Sequence, residues 1–137
     1  MRVDLHNDIE VRRAIDPAAV TDNTAFVSQI IDLANAGAVE FAIATGSLAD
    51  ADATFTVLVE DGDAANLSDA AAVDDAYLEG TEAAASFTFA GDNSVKKIGY
   101  CGPKRYVRLT ITPANNTGSA TVGAVAVLHR QRKLPRA

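Results

Sequence analysis

No acidic residue follows Asp92, tryptophan is absent, and cysteine occurs once, at Cys101. Each shortage excludes something. A lone cysteine can close no internal disulfide and build no cysteine-cluster metal site. Phe and Tyr together number only eight, whereas 27 of the 137 residues are alanine, so the 48% hydrophobic content overstates the core. Burial contributes only about 0.8 kcal/mol per CH₂, and alanine buries little. A thin core is expected, anchored by Phe26, Phe41, Phe55, Phe87, Phe89 and Tyr106, with neighbouring molecules adding stability.

Long apolar runs are missing as well. The N-terminus, MRVDLHNDIEV, carries charge every few residues and has no apolar segment of a secretory signal. The longest uncharged run, Leu109 to Leu128, contains Pro113, Asn115, Asn116 and several Thr and Gly, too polar to span a bilayer. A soluble protein made in the cytoplasm is the expectation. At this length one domain is the default, and a chain near 150 residues buries about 68–70% of its unfolded surface.

The missing acids turn a mild net charge of −6 into two opposed stretches. Residues 1–95 carry three bases and all eighteen acids, and residues 96–137 carry nine bases and no acid. Lys96 to Arg108 can pair with acids inside one folded subunit, because strands distant in sequence become neighbours. The terminal four, Arg130, Arg132, Lys133 and Arg136, are left as the unexplained charges.

What is present is mostly period-two alternation, the pattern of half-buried strands. It runs through Val39–Ile43, Phe55–Val59, Phe87–Phe89, Val107–Ile111 and Ala120–Leu128, with turn signals at Asp61-Gly62-Asp63, Gly91-Asp92-Asn93 and Pro113 to Gly118. A shorter strand is expected at Val95–Cys101. Both faces of the last strand are apolar, which predicts a central position covered on each side. Residues 24–36 read either as a helix between Asp22 and Gly37 or as a strand from Ala25 to Ile31; the strand is preferred because the surrounding segments are β. Residues 64–84 break the pattern and could hold a helical turn around Ser68–Tyr77. The expected fold is all-β, an antiparallel, jelly-roll-like β-sandwich of about seven or eight strands. Its expected divisions are an N-terminal arm at 1–20, the sandwich at 21–128 and a basic C-terminal arm at 129–137, the arms extended and needing a partner surface to become ordered.

Candidate chemistry is sparse. His6 and His129 stand alone, with no HExxH or GxSxG motif. Glu60, Asp61 and Asp63 cluster at a turn, and Asp69, Asp74, Asp75, Glu79 and Glu82 line the long loop, but the spacing of a calcium loop is missing. Glu60 and Asp61 are strand neighbours that point to opposite faces, so they cannot flank one glycosidic bond. A solvated acidic loop is the simplest reading. Cys101 reads as a small buried strand residue; a reactive thiol would need the positive surroundings that Lys97 and Lys104 could provide. For the basic tail three readings stand: a solvated terminus, a protein-docking arm, and nucleic-acid contact. The net acidity and the lack of interleaved aromatics argue against nucleic acid. No catalytic, cofactor-binding or metal-ligating residues are assigned. The partner-binding candidates are Arg12, Arg13, Arg130, Arg132, Lys133 and Arg136.

The runs VTDNTAFVSQIID, FAIATGSLADADATFTVLVEDGD, LSDAAAV and, above all, KKIGYCGPKRYVRLTITPANNTGSATVGAVAVL resemble a family of small virion proteins of tailed bacteriophages and prophages. The resemblance spans roughly residues 20–128, and in layout the chain is also similar to capsid decoration (cement) proteins. It implies a non-enzymatic structural role on the capsid surface, no cofactor, and two partners: the major capsid protein and other copies of the same chain. No membrane partner is implied. A head–tail connector or tail component is the alternative within that particle. A β-sandwich module for carbohydrate or Ca²⁺ is the alternative from a different class.

Overall fold

The computed structural model describes residues 4–130. Six strands longer than two residues build the frame: β1 (Ile9–Val20), β4 (Ala36–Leu48), β5 (Thr54–Gly62), β9 (Val95–Tyr100), β10 (Tyr106–Ala114) and β11 (Ala120–Arg130). Two-residue strands fill the edges: β2 (Phe26–Val27), β3 (Ile31–Asp32), β6 (Ala71–Ala72), β7 (Leu78–Glu79) and β8 (Phe87–Thr88). They assemble into two antiparallel sheets packed as a sandwich. One has the order β1-β11-β4-β9-β7; in the other, β10 and β5 lie side by side, β2 and β3 add to β10, and β6 and β8 add to β5. From β9 to β11 the chain crosses from one sheet to the other and back, as jelly rolls do.

Alternation explains the packing directly. Val39, Phe41 and Ile43 of β4 and Val122, Ala124, Ala126 and Leu128 of β11 turn inward from the first sheet. They meet Phe55, Val57 and Val59 of β5 and Val107, Leu109 and Ile111 of β10, all almost completely buried. Because successive strand side chains point to opposite faces, the residues between them line the two outer surfaces.

Several expectations change. Residues 9–20 are not an arm: they form an edge strand paired with β11 from Ile9↔His129 to Val20↔Ala120, with register shifts at Arg13/Ile15 and Ile15/Ala18. Alternating charge and a proline hide this strand in the sequence. Both features suit an edge, where Pro17 need not donate to a neighbour and irregularity discourages uncontrolled pairing. The sandwich therefore starts near Ile9, and at its other end β11 continues through His129 to Arg130. Residues 24–36 form no helix. Phe26 and Ile31 enter the core from the two short strands on β10, and between them Ser28 exchanges bonds with Leu109 while the Gln29 N–H donates to the Ala14 carbonyl at 2.9 Å. This segment closes one side of the sandwich.

Among the expected anchors, Phe26, Phe41, Phe55 and Phe87 are buried, but Phe89 is 44% exposed and Tyr106 only half-buried. The Phe87–Phe89 alternation ends after two strand residues because the chain turns into a 3₁₀ turn at Phe89–Gly91. Tyr100 takes the missing aromatic place with 0% exposure. The long loop holds a 3₁₀ turn at Asp75–Tyr77 and one helical turn at Glu82–Ala85, the first within the expected range.

Candidate functional site

The partner-binding candidates separate in space. Arg12 is bound to its own subunit: its Nε lies 2.9 Å from Glu10 and it donates to the Asp32 carbonyl at 2.9 Å. That contact, aided by Arg130, holds the Glu10 carboxyl below its usual range. Arg13 points the other way, to the outer face, 3.0 Å from Asp16. Arg130 ends β11, and Arg132, Lys133 and Arg136 lie outside the described residues. The two arginines expected on one arm thus occupy opposite sides of an edge strand, as the two-residue period requires.

Much of the sequence-level charge segregation disappears on folding. Lys104 pairs with Asp63 at 2.8 Å, Arg105 with Asp32 at 2.9 Å, and Arg108 with Glu60 at 3.2 Å. Arg108 and Glu60 are direct cross-strand partners on β10 and β5. The Arg105 guanidinium also lies 5.2 Å from the Tyr106 ring centroid.

The acidic loops are occupied in the same internal way. Asp69 accepts from the N–H groups of Asp63 and Ala64, and Asp50 accepts from Asp52 and from both the N–H and the hydroxyl of Thr117. These bonds hold both carboxyls below their ordinary values. They do what short acidic side chains do best, closing turns on the backbone. Among the described residues no group of three or more His, Cys, Asp and Glu could hold a metal ion.

Asp61 points inward, as its alternation with Glu60 demands. It accepts the Tyr100 hydroxyl proton at 2.7 Å, and that hydroxyl accepts the Lys104 N–H at 3.0 Å. Burial and the Asp61 carboxylate raise the phenol well above its ordinary value. Cys101, expected to be buried, is exposed. Its thiol is pushed up by partial loss of hydration and by the hydrogen bond and charge of Glu79, the opposite of the activation that Lys97 and Lys104 would have produced. The local field comes from the neighbouring strand β7, which the sequence pattern did not reveal.

The feature that sequence reasoning missed is the outer face of the first sheet. Its floor is small: Ala42, Ala44 and Gly46 on β4, with Thr121, Gly123 and Val125 on β11. Val11, Arg13 and Pro17 of β1 form one wall and Val95 of β9 the other, enclosing an open groove of about 560 Å³. Gly123 lets Pro17 pack closely there, since a Cβ would meet Pro17 Cγ at 3.1 Å. Val11 is 58%, Val95 68% and Val125 41% exposed. The last strand is therefore central, as expected, but among the described residues it is covered on one side only. The sequence signal was its apolar outer set, Val125 and Val127, which buried-on-both-faces strands share.

Strand register arranges this face in rows. Arg13, Val125, Ala42 and Lys97 lie abreast, and one step along the strands lie Val11, Val127, Glu40, Gly99 and Glu79. Glu40 and Glu79 both lean over Gly99, where an added Cβ would sit 2.5 Å from Glu40 Oε2 and 2.9 Å from Glu79 Cβ. Together with His129 they border a smaller hollow of about 240 Å³. Glu40 Oε2 is buried and has no hydrogen-bond partner. Burial raises its carboxyl above the usual range; Lys97 opposes that rise and Glu79 adds to it.

No protein-family model matches the chain, and no curated protein matches it. Among solved structures, it is similar to the Clostridium thermocellum N-terminal endo-1,4-β-D-xylanase 10B, CBM22-1–GH10 modules complexed with xylohexaose. The TM-score is 0.50 at 13% identity, and the match covers 97% of this chain but only 27% of that one. At that identity the likeness shows the fold alone, an antiparallel β-sandwich.

Proposed function

We propose that this protein is a non-enzymatic structural subunit of a tailed-bacteriophage virion, a capsid decoration protein that binds the major capsid protein and its own copies on the head shell. The observation that carries the reading is the uncovered aliphatic face of the first sheet. Contiguous exposed apolar surface marks interaction sites, protein contact among them. Ligand pockets combine apolar walls with a few convergent polar groups, whereas this floor is alanine, glycine and valine with the hydroxyl of Thr121, and the charged groups at its side are arginines of the edge strand. The carboxylates of the loops support turns, and the sandwich supplies a rigid scaffold. Both suit a subunit that works by being assembled. The resemblance of residues 20–128 to small phage virion proteins gives the partner its name.

Arg130, Arg132, Lys133 and Arg136 are the positions assigned to shell contact, where charge sets encounter and register more than affinity. Co-sedimentation with shells of the major capsid protein tests this. Deleting residues 130–137 is expected to leave a folded sandwich that coats shells poorly. Full coating by the shortened protein would remove the docking role of the tail, and no binding by the intact protein would remove the decoration reading. Copy number separates decoration from the head–tail connector or tail alternative, hundreds per particle against a ring of few.

A second reading, carbohydrate binding, draws on the xylohexaose in the similar structure. The groove offers aliphatic walls and no aromatic platform, which makes it a poor sugar site. Heat released on titrating xylohexaose into the protein would revive it.

A further inference from the structure

The uncovered face carries its own charge pattern, and that pattern is self-complementary. One row places the cations Arg13 and Lys97 at its two sides, with Val125 and Ala42 between them. The adjacent row places the anions Glu40 and Glu79 on either side of Gly99, with Val127 and Val11 beyond. The rows are one side-chain step apart, about 7 Å along the strands. Within one subunit the Glu40 Oε2 atom is left buried and unpartnered, beside a second carboxylate of like charge.

We propose that two copies of this chain pair face to face through the outer surface of the β1–β11–β4–β9 sheet, about a twofold axis that crosses the strands between these two rows. A twofold axis in that position exchanges the rows. Lys97 of each copy then stands above Gly99 of the other, where Glu40 and Glu79 lean together. Val125 of each copy meets Val127 of the other. An isologous interface of this kind requires one patch to complement itself, which a surface bearing a single sign of charge could not do. The small positions matter too: sheets stack about 10 Å apart, and Gly99 and Ala42 leave room for Lys97 and Glu40 of the opposing copy. Exposed Val11 and Val125 lose their water contact in the same step. The inference deepens the self-association part of the virion reading, but it needs no shell, so the two can fail separately.

Sedimentation velocity on the purified full chain, from low micromolar to submillimolar concentration, is the test. The wild type is expected to reach a dimer. Val125→Asp, a change at a site already 41% exposed, is expected to leave a folded monomer by circular dichroism. Lys97→Glu is expected to weaken pairing by about tenfold or more, since the twofold axis makes each dimer lose two charge pairs. The exchange Lys97→Glu with Glu79→Lys is expected to recover most of it, which a merely structural role for either residue would not produce. A wild type that stays monomeric throughout, or an assembly that Val125→Asp leaves intact, overturns the proposal. A dimer indifferent to both charge changes overturns the axis. If the monomeric wild type binds shells and Val125→Asp does not, the face belongs to the shell and not to a second copy.

Discussion

Tyr100→Phe removes one oxygen atom from a completely buried ring. That oxygen donates to Asp61 at 2.7 Å and accepts the Lys104 N–H at 3.0 Å. A hydrogen bond to a charged group contributes about 1.5–3 kcal/mol, and an unpaired buried donor costs about 1–3 kcal/mol. Asp61 is half-buried and recovers some hydration, so the expected loss is about 2 kcal/mol. Urea denaturation at neutral pH measures it directly, and thermal melting should fall by about 4 °C for each kcal/mol. Alkaline pH supplies an independent arm. The folded phenol is raised above its ordinary value, so below pH 10 both folded and unfolded chains hold the proton. Above pH 10 the unfolded chain releases it first. Wild-type stability should therefore fall as pH rises past 10, by at most about 1.4 kcal/mol per pH unit. The Phe variant lacks that component, and the gap between the two proteins should narrow. A variant within about 0.5 kcal/mol of wild type, with a parallel alkaline profile, would refute the claim that this bond locks the end of the core.

Other expectations follow from the same geometry. Phe87, stacked on Phe55 with centroids 5.0 Å apart, should cost about 3–5 kcal/mol on change to Ala, while Phe89→Ala at its exposed site should cost less than about 1 kcal/mol; equal losses in denaturant titrations would contradict the packing described. Asp32, held at about 2 by Arg105 and the Ala34 N–H, adds stability that is present above the ordinary carboxyl value and lost as pH falls through about 2. Both partners are substantially exposed, so solvent screening limits the effect to less than about 1 kcal/mol; Asp32→Asn should erase that portion of the acid dependence. Arg108→Ala, breaking the cross-strand pair with Glu60, should cost about 0.5–1 kcal/mol in urea, and a cost above twice that would point to a role beyond the pair.

The long central strands were legible because each carries its own alternation. Phe41, Val57, Leu109 and Val122 could be assigned to the core from spacing alone, and all are buried. Phe89 could not be separated from Phe87, since the turn that follows depends on contacts from elsewhere. Strand β1 was hidden for a related reason: an edge strand satisfies only one side of its backbone, so it tolerates Pro17 and paired arginines that look like arm composition. Cys101 and Glu79 were unremarkable in sequence because nothing local shows that β7 pairs with β9.

By itself the sequence determined that the chain folds as an antiparallel β-sandwich, because side-chain period is a local property of each strand. It also determined that charges of opposite sign lie in different stretches of the chain. Only the tertiary structure decided which of those charges meet, since pairing depends on strand order and register that no single strand encodes. It decided as well that the outer face of β11 is open among the described residues, because covering a strand requires a neighbouring layer, and residues 4–130 place none there.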